Sequence, residues 1–366
     1  MSERLTRRAL NRALLARQML LERENMAVPD AVERLLGMQA QLPNPPYIGL
    51  WTRLRRFERD DLTRLMGERQ IVRAAMMRST LHLVTAADHH RFRPTIQPAL
   101  VRALGAFFGK RAAGLDADKL VQAVRPHLEA APRSTGQLRA LLLEVEPERD
   151  PDAMAYLVRT YLPLIQVPPG GTWGSGSSAA YVTAESWLGQ PDTEGDLPTL
   201  FRRYLAAFGP ASVQDFQAWS GLTKLKDAFQ DVKSELRTFR DEAGRELFDL
   251  PQGSLPDADT PAPVRFIPEY DNLVLAHADR TRIIADEHRS KVYLSAGRVR
   301  STFLVDGFVA GAWKAERKKN TAALTIEPFV PLSSENQEAL TREGESLLRF
   351  IEDDAQHYEI HFADGE

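Results

Sequence analysis

The chain has no cysteine in 366 residues. That excludes a disulfide framework and a thiolate metal site, and it makes a reducing cytoplasm the expected compartment. It also has no long hydrophobic run. Hydrophobic content of 43% is ordinary for a globular protein, and nothing reaches the length of a membrane span. Met1 to Leu20 is arginine-rich without an uninterrupted apolar stretch, so no secretory signal is expected. Metal-ligand clusters are missing too. His89 and His90 are adjacent and would diverge on a helix, and His357 with His361 has no third ligand nearby. The glycine-rich run from Gly170 to Gly176 has no following lysine and helix, so it is not a phosphate loop. No serine has a convincing histidine partner for a hydrolase triad. No metal and no cofactor are expected.

A net charge of −3 argues against a protein that is basic all over. Its distribution is uneven. Residues 1–112 hold 20 Lys and Arg against 10 Asp and Glu, a balance of +10, while the rest holds 27 against 40, a balance of −13. Such asymmetry points to one end meeting a polyanion, with arginines that merely solvate helix faces as the alternative. Several of these arginines fall in apolar-periodic helices, which favours nucleic acid.

A chain this long needs more than one core. Thr6 to Glu24 has apolar residues at 10, 14, 15, 19 and 21 with arginines opposite, the spacing of an amphipathic helix. Pro29 suits the first turn of a second helix. Ile71 to Val84 reads as a short hairpin, and Ala86-Ala87-Asp88 starts another helix. Helices followed by a hairpin make a winged-helix unit. A short internal repeat supports this: aligning Pro132 with Pro210 places Ser134 on Ser212, Leu138 on Phe216 and Leu141 on Trp219, each copy opening on a helix cap. The second copy predicts a recognition helix over Leu222–Phe229 and wing strands near 236–240 and 246–250. The first copy predicts a wing from Leu164–Val167, a loop from Pro168 to Ser178, and a strand near Ala179–Val182. Residues 250–263 read as a linker. Beyond it, strands are predicted at 264–267, 281–284, 291–294, 300–305, 308–314 and 321–327, with Asp306-Gly307 as a type I′ turn. An acidic helix over 334–355 and a strand over Tyr358–Phe362 close the chain. The reading is α+β: winged-helix units at 1–112, 113–192 and 193–258, then a β-rich, barrel-like domain at 259–366.

The segment richest in chemistry is Gly37-Met38-Gln39-Ala40-Gln41-Leu42-Pro43-Asn44-Pro45-Pro46. Two glutamines flank one small apolar residue. Alternation puts Gln39 and Gln41 on one side of an extended segment, or close together at a frayed helix end, and the prolines end any helix and stiffen the exit. Paired amides can grip a water or a base edge without carrying charge. Around this pair stand Leu10–Gln18, Tyr47–Leu54, Met77–Val84 and Pro268–Arg280. Together these segments resemble the AlkZ-like (AlkZ/YcaQ) winged-helix DNA glycosylases, over nearly the whole chain and in the same order.

That resemblance implies a Gln-apolar-Gln active site at Gln39 and Gln41. It implies excision of bulky N7-alkylguanine adducts, unhooking of interstrand crosslinks in some members, and a place in DNA repair or self-resistance to a genotoxin. The residue types suit the chemistry: N7 alkylation leaves the purine cationic, so the leaving base needs no proton. What remains is to position water and stabilise an oxocarbenium-like sugar. The implied partner is double-stranded DNA carrying alkylated guanine, bound by a monomer, with no membrane.

Further candidates follow. Arg78, Thr80 and His82 alternate along a predicted strand and are read as gripping phosphate or sugar, or else as fixing the wing. Tyr270 and Asp271 are read as active-site support, with Asp271 facing positive charge on the sugar or serving as a turn residue. Lys224 and Lys226 lie on the predicted recognition helix, and Arg298 and Arg300 beside a predicted strand. Lys314, Arg317, Lys318 and Lys319 cluster at a hairpin tip, Trp313 to Asn320, that the resemblance places in the minor groove. A reading of another class is a non-catalytic winged-helix regulator. Three dissimilar units and the lack of an obvious dimerisation helix favour the glycosylase.

Overall fold

The computed structural model describes residues 3–176, 179–190 and 194–363. Ser177 and Ser178 of the expected loop, and the unit boundary after residue 192, lie outside the described residues. Strand β1 (Glu3–Arg4) leads into the first helix, Arg7–Arg17, capped by the Thr6 side chain. The helix stops well short of Glu24, because Met19 turns into the left-handed region with φ of 57°. Its arginines do not simply face water. Arg12 and Arg17 are buried and paired, Arg12 with Asp306 and Arg17 with Asp249, bidentately at 2.7 Å. Pro29 stands in the first turn of helix Val28–Arg34 as expected.

Strand β2 (Met38–Gln39), the hairpin β3 (Ile71–Ala75) and β4 (Leu81–Thr85), β5 (Arg133–Ser134), and the pair β6 (Leu164–Val167) and β7 (Ala180–Thr183) form one six-stranded sheet. Its order is β2-β4-β3-β6-β7-β5, so the two expected wings are fused through Arg73 opposite Gln166 and Ala74 opposite Ile165. The two halves of the repeat fold alike. Ser134 with Gln137, and Ser212 with Asp215, each form a reciprocal capping box ahead of helices Thr135–Val145 and Val213–Ser220.

After the second of these helices Gly221 caps the end at φ 79°. The next helix starts later than predicted, at Lys226 rather than Leu222, because Lys224 occupies the left-handed region at φ 59°. Strands β8 (Arg237–Arg240) and β9 (Glu246–Asp249) make the expected hairpin, and β1 pairs with β8 as a third strand.

The C-terminal segment departs furthest from expectation. Strands β10 (Arg265–Ile267), β11 (Thr302–Val305), β12 (Phe308–Lys318), β13 (Thr321–Pro328) and β14 (His357–Phe362) form an open sheet in that order, not a barrel. Asp306 and Gly307 make the predicted tight turn with φ of 47° and 82°. The predicted strands at 281–284 and 291–294 are turns and a short helix, Arg289–Val292. Their apolar residues, Ile283, Ile284 and Val292, instead reach into a core that runs from Leu14 to Val309. Helix Ser334–Ile351 covers one face of the sheet through Leu340, Leu347 and Leu348.

The buried Arg17–Asp249 pair ties the first helix to β9. Asp249→Ala would leave a guanidinium buried without its partner, which typically costs about 3–5 kcal/mol. The variant should show a markedly lower urea midpoint, and an unchanged midpoint would refute this role.

Candidate active site

The glutamine motif sits on the sheet edge because the local sequence leaves it nowhere else. Gly37 takes φ of 86°, and a Cβ there would lie 2.7 Å from Val84 Cγ1. Only glycine lets the chain approach β4 this closely. Strand β2 then pairs Met38 with Leu83 and Gln39 with His82, and the Ala40 N–H donates to the Leu81 carbonyl at 2.7 Å. Of the two conformations left open by the sequence, the extended one is observed. Met38 and Ala40 enter a core cluster, and alternation turns Gln39 and Gln41 the other way. The apolar residue between the glutamines is thus a packing residue, 1% exposed. The prolines do more than end a helix: Pro45 and Pro46 form the first turn of helix Pro45–Trp51.

Polar side chains from distant parts of the sequence hold this edge. Arg73 donates to the Ala40 carbonyl at 2.9 and 2.6 Å and to the Gln41 carbonyl at 3.2 Å. It also bonds the Gln166 side chain, whose amide donates to the Tyr181 hydroxyl at 2.7 Å. The 168–176 loop lies directly on Arg73: a Cβ on Gly171, at φ 84°, would meet Arg73 Cδ at 2.6 Å. Arg78 donates to Gln39 Oε1 at 2.8 Å and to the Trp219 carbonyl at 2.6 Å. Asn272 donates to the Gly37 carbonyl at 3.0 Å.

Three cavities surround the motif. Gln39 lines a void of about 10 Å³, room for one water-sized group, together with Arg53, Glu269, Asp271 and Asn272. Gln41 is exposed and lines a second cavity of about 140 Å³ with Ser79, Tyr156, Arg159 and Tyr181. An open groove of about 510 Å³ begins at Leu42 and runs past Trp173, Glu269, Trp313, Lys314 and Glu352. Gln39, on β2, and Gln41, just past its end, therefore line different cavities.

The other sequence candidates are sorted by the structure. Arg78, Thr80 and His82 do not alternate along one strand, because Arg78 and Ser79 turn through the left-handed region before β4 begins. Arg78 is spent on Gln39 and Trp219. The Thr80 hydroxyl donates to the Met77 carbonyl, and His82 is fully buried on β4 opposite Gln39, out of reach of phosphate. Both oxygens of Asp271 are held by Arg53 at 2.8 Å, and one also caps the Leu273 N–H. Tyr270 is half-buried at φ 61° beside Glu269. Lys224, Lys226 and Arg298 are exposed, whereas Arg300 pairs with Glu327.

The basic hairpin is longer than predicted and its tip is at Lys318–Thr321, with Trp313 buried in the sheet. Arg317 is paired with Glu352 at 3.1 Å and with Asp354, and Lys314 with Glu316 at 3.1 Å. Lys318 and Lys319 are exposed, and no ion pair engages them among the described residues. Residues that sequence reasoning passed over are Arg73, Arg53, Asn272 and Glu269. Arg53, Glu269 and Asn272 carried a signal, since they lie in the segments Tyr47–Leu54 and Pro268–Arg280 that carry the resemblance, and Arg73 carried none.

Burial beside Arg78 pushes the His82 pKa down to about 3, and burial beside Arg93 does the same to His89. In the unfolded chain both titrate near 6.5. Between about pH 6.5 and 3 the unfolded state therefore binds protons that the native state refuses, so stability falls as pH drops through this window. Each histidine contributes about 1.4 kcal/mol per pH unit well inside it. The urea midpoint should fall steadily from pH 7 to pH 5, and the His82 ring signals should not titrate over that range. A flat midpoint, or a His82 ring titrating near 6.5, would refute this.

Comparison with known proteins agrees with the geometry. The profile of the family described as DNA glycosylase AlkZ-like matches residues 32–350. An interstrand DNA cross-link repair glycosylase from Streptomyces sahachiroi is 24% identical over 359 residues, covering 92% of this chain and 94% of its own length. The solved structure of Streptomyces sahachiroi DNA glycosylase AlkZ superposes with a TM-score of 0.80 at 22% identity, covering 98% of this chain and all of that one. The chain belongs to the AlkZ-like family of DNA glycosylases.

Proposed function

We propose that this enzyme is a monofunctional glycosylase that hydrolyses the N-glycosidic bond of bulky N7-alkylguanine adducts in duplex DNA, with Gln39 and Gln41 as its catalytic pair. The observation that carries the reading is the placement of Gln39 on edge strand β2 and of Gln41 just beyond its end. Their backbone is clamped by Arg73, and the chain leaves them along an open groove of about 510 Å³. Such a groove suits a large adduct better than a closed base pocket would. On this reading the leaving base needs no proton, because its own ring charge already weakens the bond. The reading extends to unhooking of interstrand crosslinks, in line with the cross-link repair for which the Streptomyces relative is named, and to genotoxin self-resistance. It takes the chain as a monomer with winged-helix units at 1–112, 113–192 and 193–258 and a β-rich domain at 259–366, all meeting one duplex.

Gln39→Ala and Gln41→Ala should each cut single-turnover excision of N7-methylguanine by at least about tenfold, or about 1.4 kcal/mol of transition-state stabilisation. Duplex affinity should change much less. Wild-type rates in both variants would remove the assignment.

The hairpin tip is the second test. Lys318 and Lys319 are the cations of the basic cluster left for phosphate, so replacing both by glutamine isolates charge, and trimming Lys318–Thr321 to Gly-Asn removes shape as well. If the tip enters the minor groove, trimming should slow excision of bulky or crosslinked adducts more than of N7-methylguanine. Equal slowing would reduce the tip to general affinity, and none would make it a solvated turn.

A further inference from the structure

The reaction makes a demand that the glutamines do not meet. An oxocarbenium-like sugar carries positive charge, and the attacking water must lose a proton. Gln39 and Gln41 are neutral, and the Gln39 oxygen already accepts from the Arg78 guanidinium at 2.8 Å. Left to these groups the local field would be positive, opposing the cation that must form.

Three carboxylates line the cavities around the motif. Asp271 is neutralised by a bidentate contact from Arg53, and Glu352 is paired with Arg317. Glu269 is the third, and it has no hydrogen bond or ion pair among the described residues. It is half-buried and belongs both to the water-sized void with Gln39 and to the wall of the open groove. A carboxylate at such a place without a partner is costly unless something it binds repays the cost. Burial raises its pKa above the usual carboxylate value, as an ion awaiting a counter-charge would show.

We propose that Glu269 is the anionic catalytic group of this site, facing the sugar cation as the base departs and accepting the proton of the attacking water. The inference rests on the hydrolytic reading above. The C1′–N9 bond breaks with its electron pair going to the base, which cancels the purine ring charge. The water oxygen forms the new bond to C1′. Its proton passes to the Glu269 carboxylate and from there to solvent, leaving an abasic sugar and a neutral base. Gln39, across the void, orients the water; Glu269 supplies the charge.

The groups facing Glu269 are Gln39 and the Arg53–Asp271 pair in the void, Lys314 and the paired Glu352 in the groove, and the neighbouring Tyr270. Among them Glu269 is the carboxylate that no cation pairs with among the described residues, and burial raises its pKa.

The test is single-turnover excision of N7-methylguanine from pH 7.5 to 5 by wild type, Glu269→Gln and Glu269→Asp, with circular dichroism at each pH and duplex affinity measured alongside. Wild type should slow as pH falls through the Glu269 pKa. Glu269→Gln should be at least about 30-fold slower at pH 7.5, as expected for loss of a general base, and should lose the acid limb while binding duplex normally. Glu269→Asp should keep an acid limb at a reduced rate, and it decides the matter if the glutamine variant does not fold. Glu269→Gln within threefold of wild type would overturn the inference, as would a slow variant that keeps the acid limb. If wild type releases no base from any N7-alkylguanine, the proposed function falls and takes this inference with it.

Discussion

The arrangement depends on one buried backbone group, the carbonyl of Ala40. Strand β2 is only two residues long and lies at the edge of its sheet, so half of its backbone polar groups have no strand to pair with. A buried carbonyl without a partner would cost about 1–3 kcal/mol, enough to let such a short segment fray. Arg73 prevents that by donating two of its N–H groups to this one oxygen, and it is in turn fixed by Gln166, Tyr181 and the loop over Gly171. Arg78 performs a similar service on the Gln39 side chain while anchored to Trp219, and Asn272 holds Gly37. The motif is therefore positioned by residues 73, 78, 166, 171, 219 and 272, which lie far apart in the chain. The proposed catalytic pair would gain from such redundancy, since amides contribute to catalysis through fixed orientation rather than through charge.

The charge asymmetry of the sequence reads differently once the fold is known. Of the 20 basic residues in the first 112, eight arginines pair with carboxylates beyond residue 112: Arg8, Arg12, Arg17, Arg23, Arg53, Arg59, Arg91 and Arg111. Much of the basic excess is thus consumed inside the molecule, neutralised by the acidic remainder of the chain. Buried pairs such as Arg17–Asp249 and Arg53–Asp271 contribute position more than net stability, because desolvation offsets most of their attraction. The cations left to meet phosphate, Lys318 and Lys319 among them, are fewer than the composition suggests and lie in both halves.

What is legible in the sequence follows from the range of the forces involved. Caps, tight turns and helix starts depend on neighbouring residues, so Thr6, Ser134, Ser212 and Asp306-Gly307 are all readable. Short apolar runs are readable as well, but they do not distinguish a strand from a turn that drops apolar side chains into a core, and 281–284 and 291–294 mislead for that reason. Partner choice is not readable. Nothing near Asp271 in sequence says that Arg53 will hold both its oxygens, and nothing near Glu269 says that no cation will reach it. Sequence proximity points to the right turn and cannot choose between its two acids.

That choice bears on selectivity. In the proposed site Gln39 and Gln41 cannot protonate a departing neutral base and Glu269 acts as an anion, which stabilises the sugar cation only after the bond has begun to break. On the proposed reading, a substrate must therefore bring its own leaving-group activation, which an unmodified guanine lacks and an N7-alkylated one carries as ring charge. The groove then need not recognise any particular adduct to spare normal DNA. Discrimination would reside in the chemistry of the lesion, leaving the groove walls free to accept large and varied alkyl groups. An open surface lined by Trp173, Trp313 and Ile48 is suited to that role, because apolar contact is tolerant of shape in a way that hydrogen-bonded recognition is not.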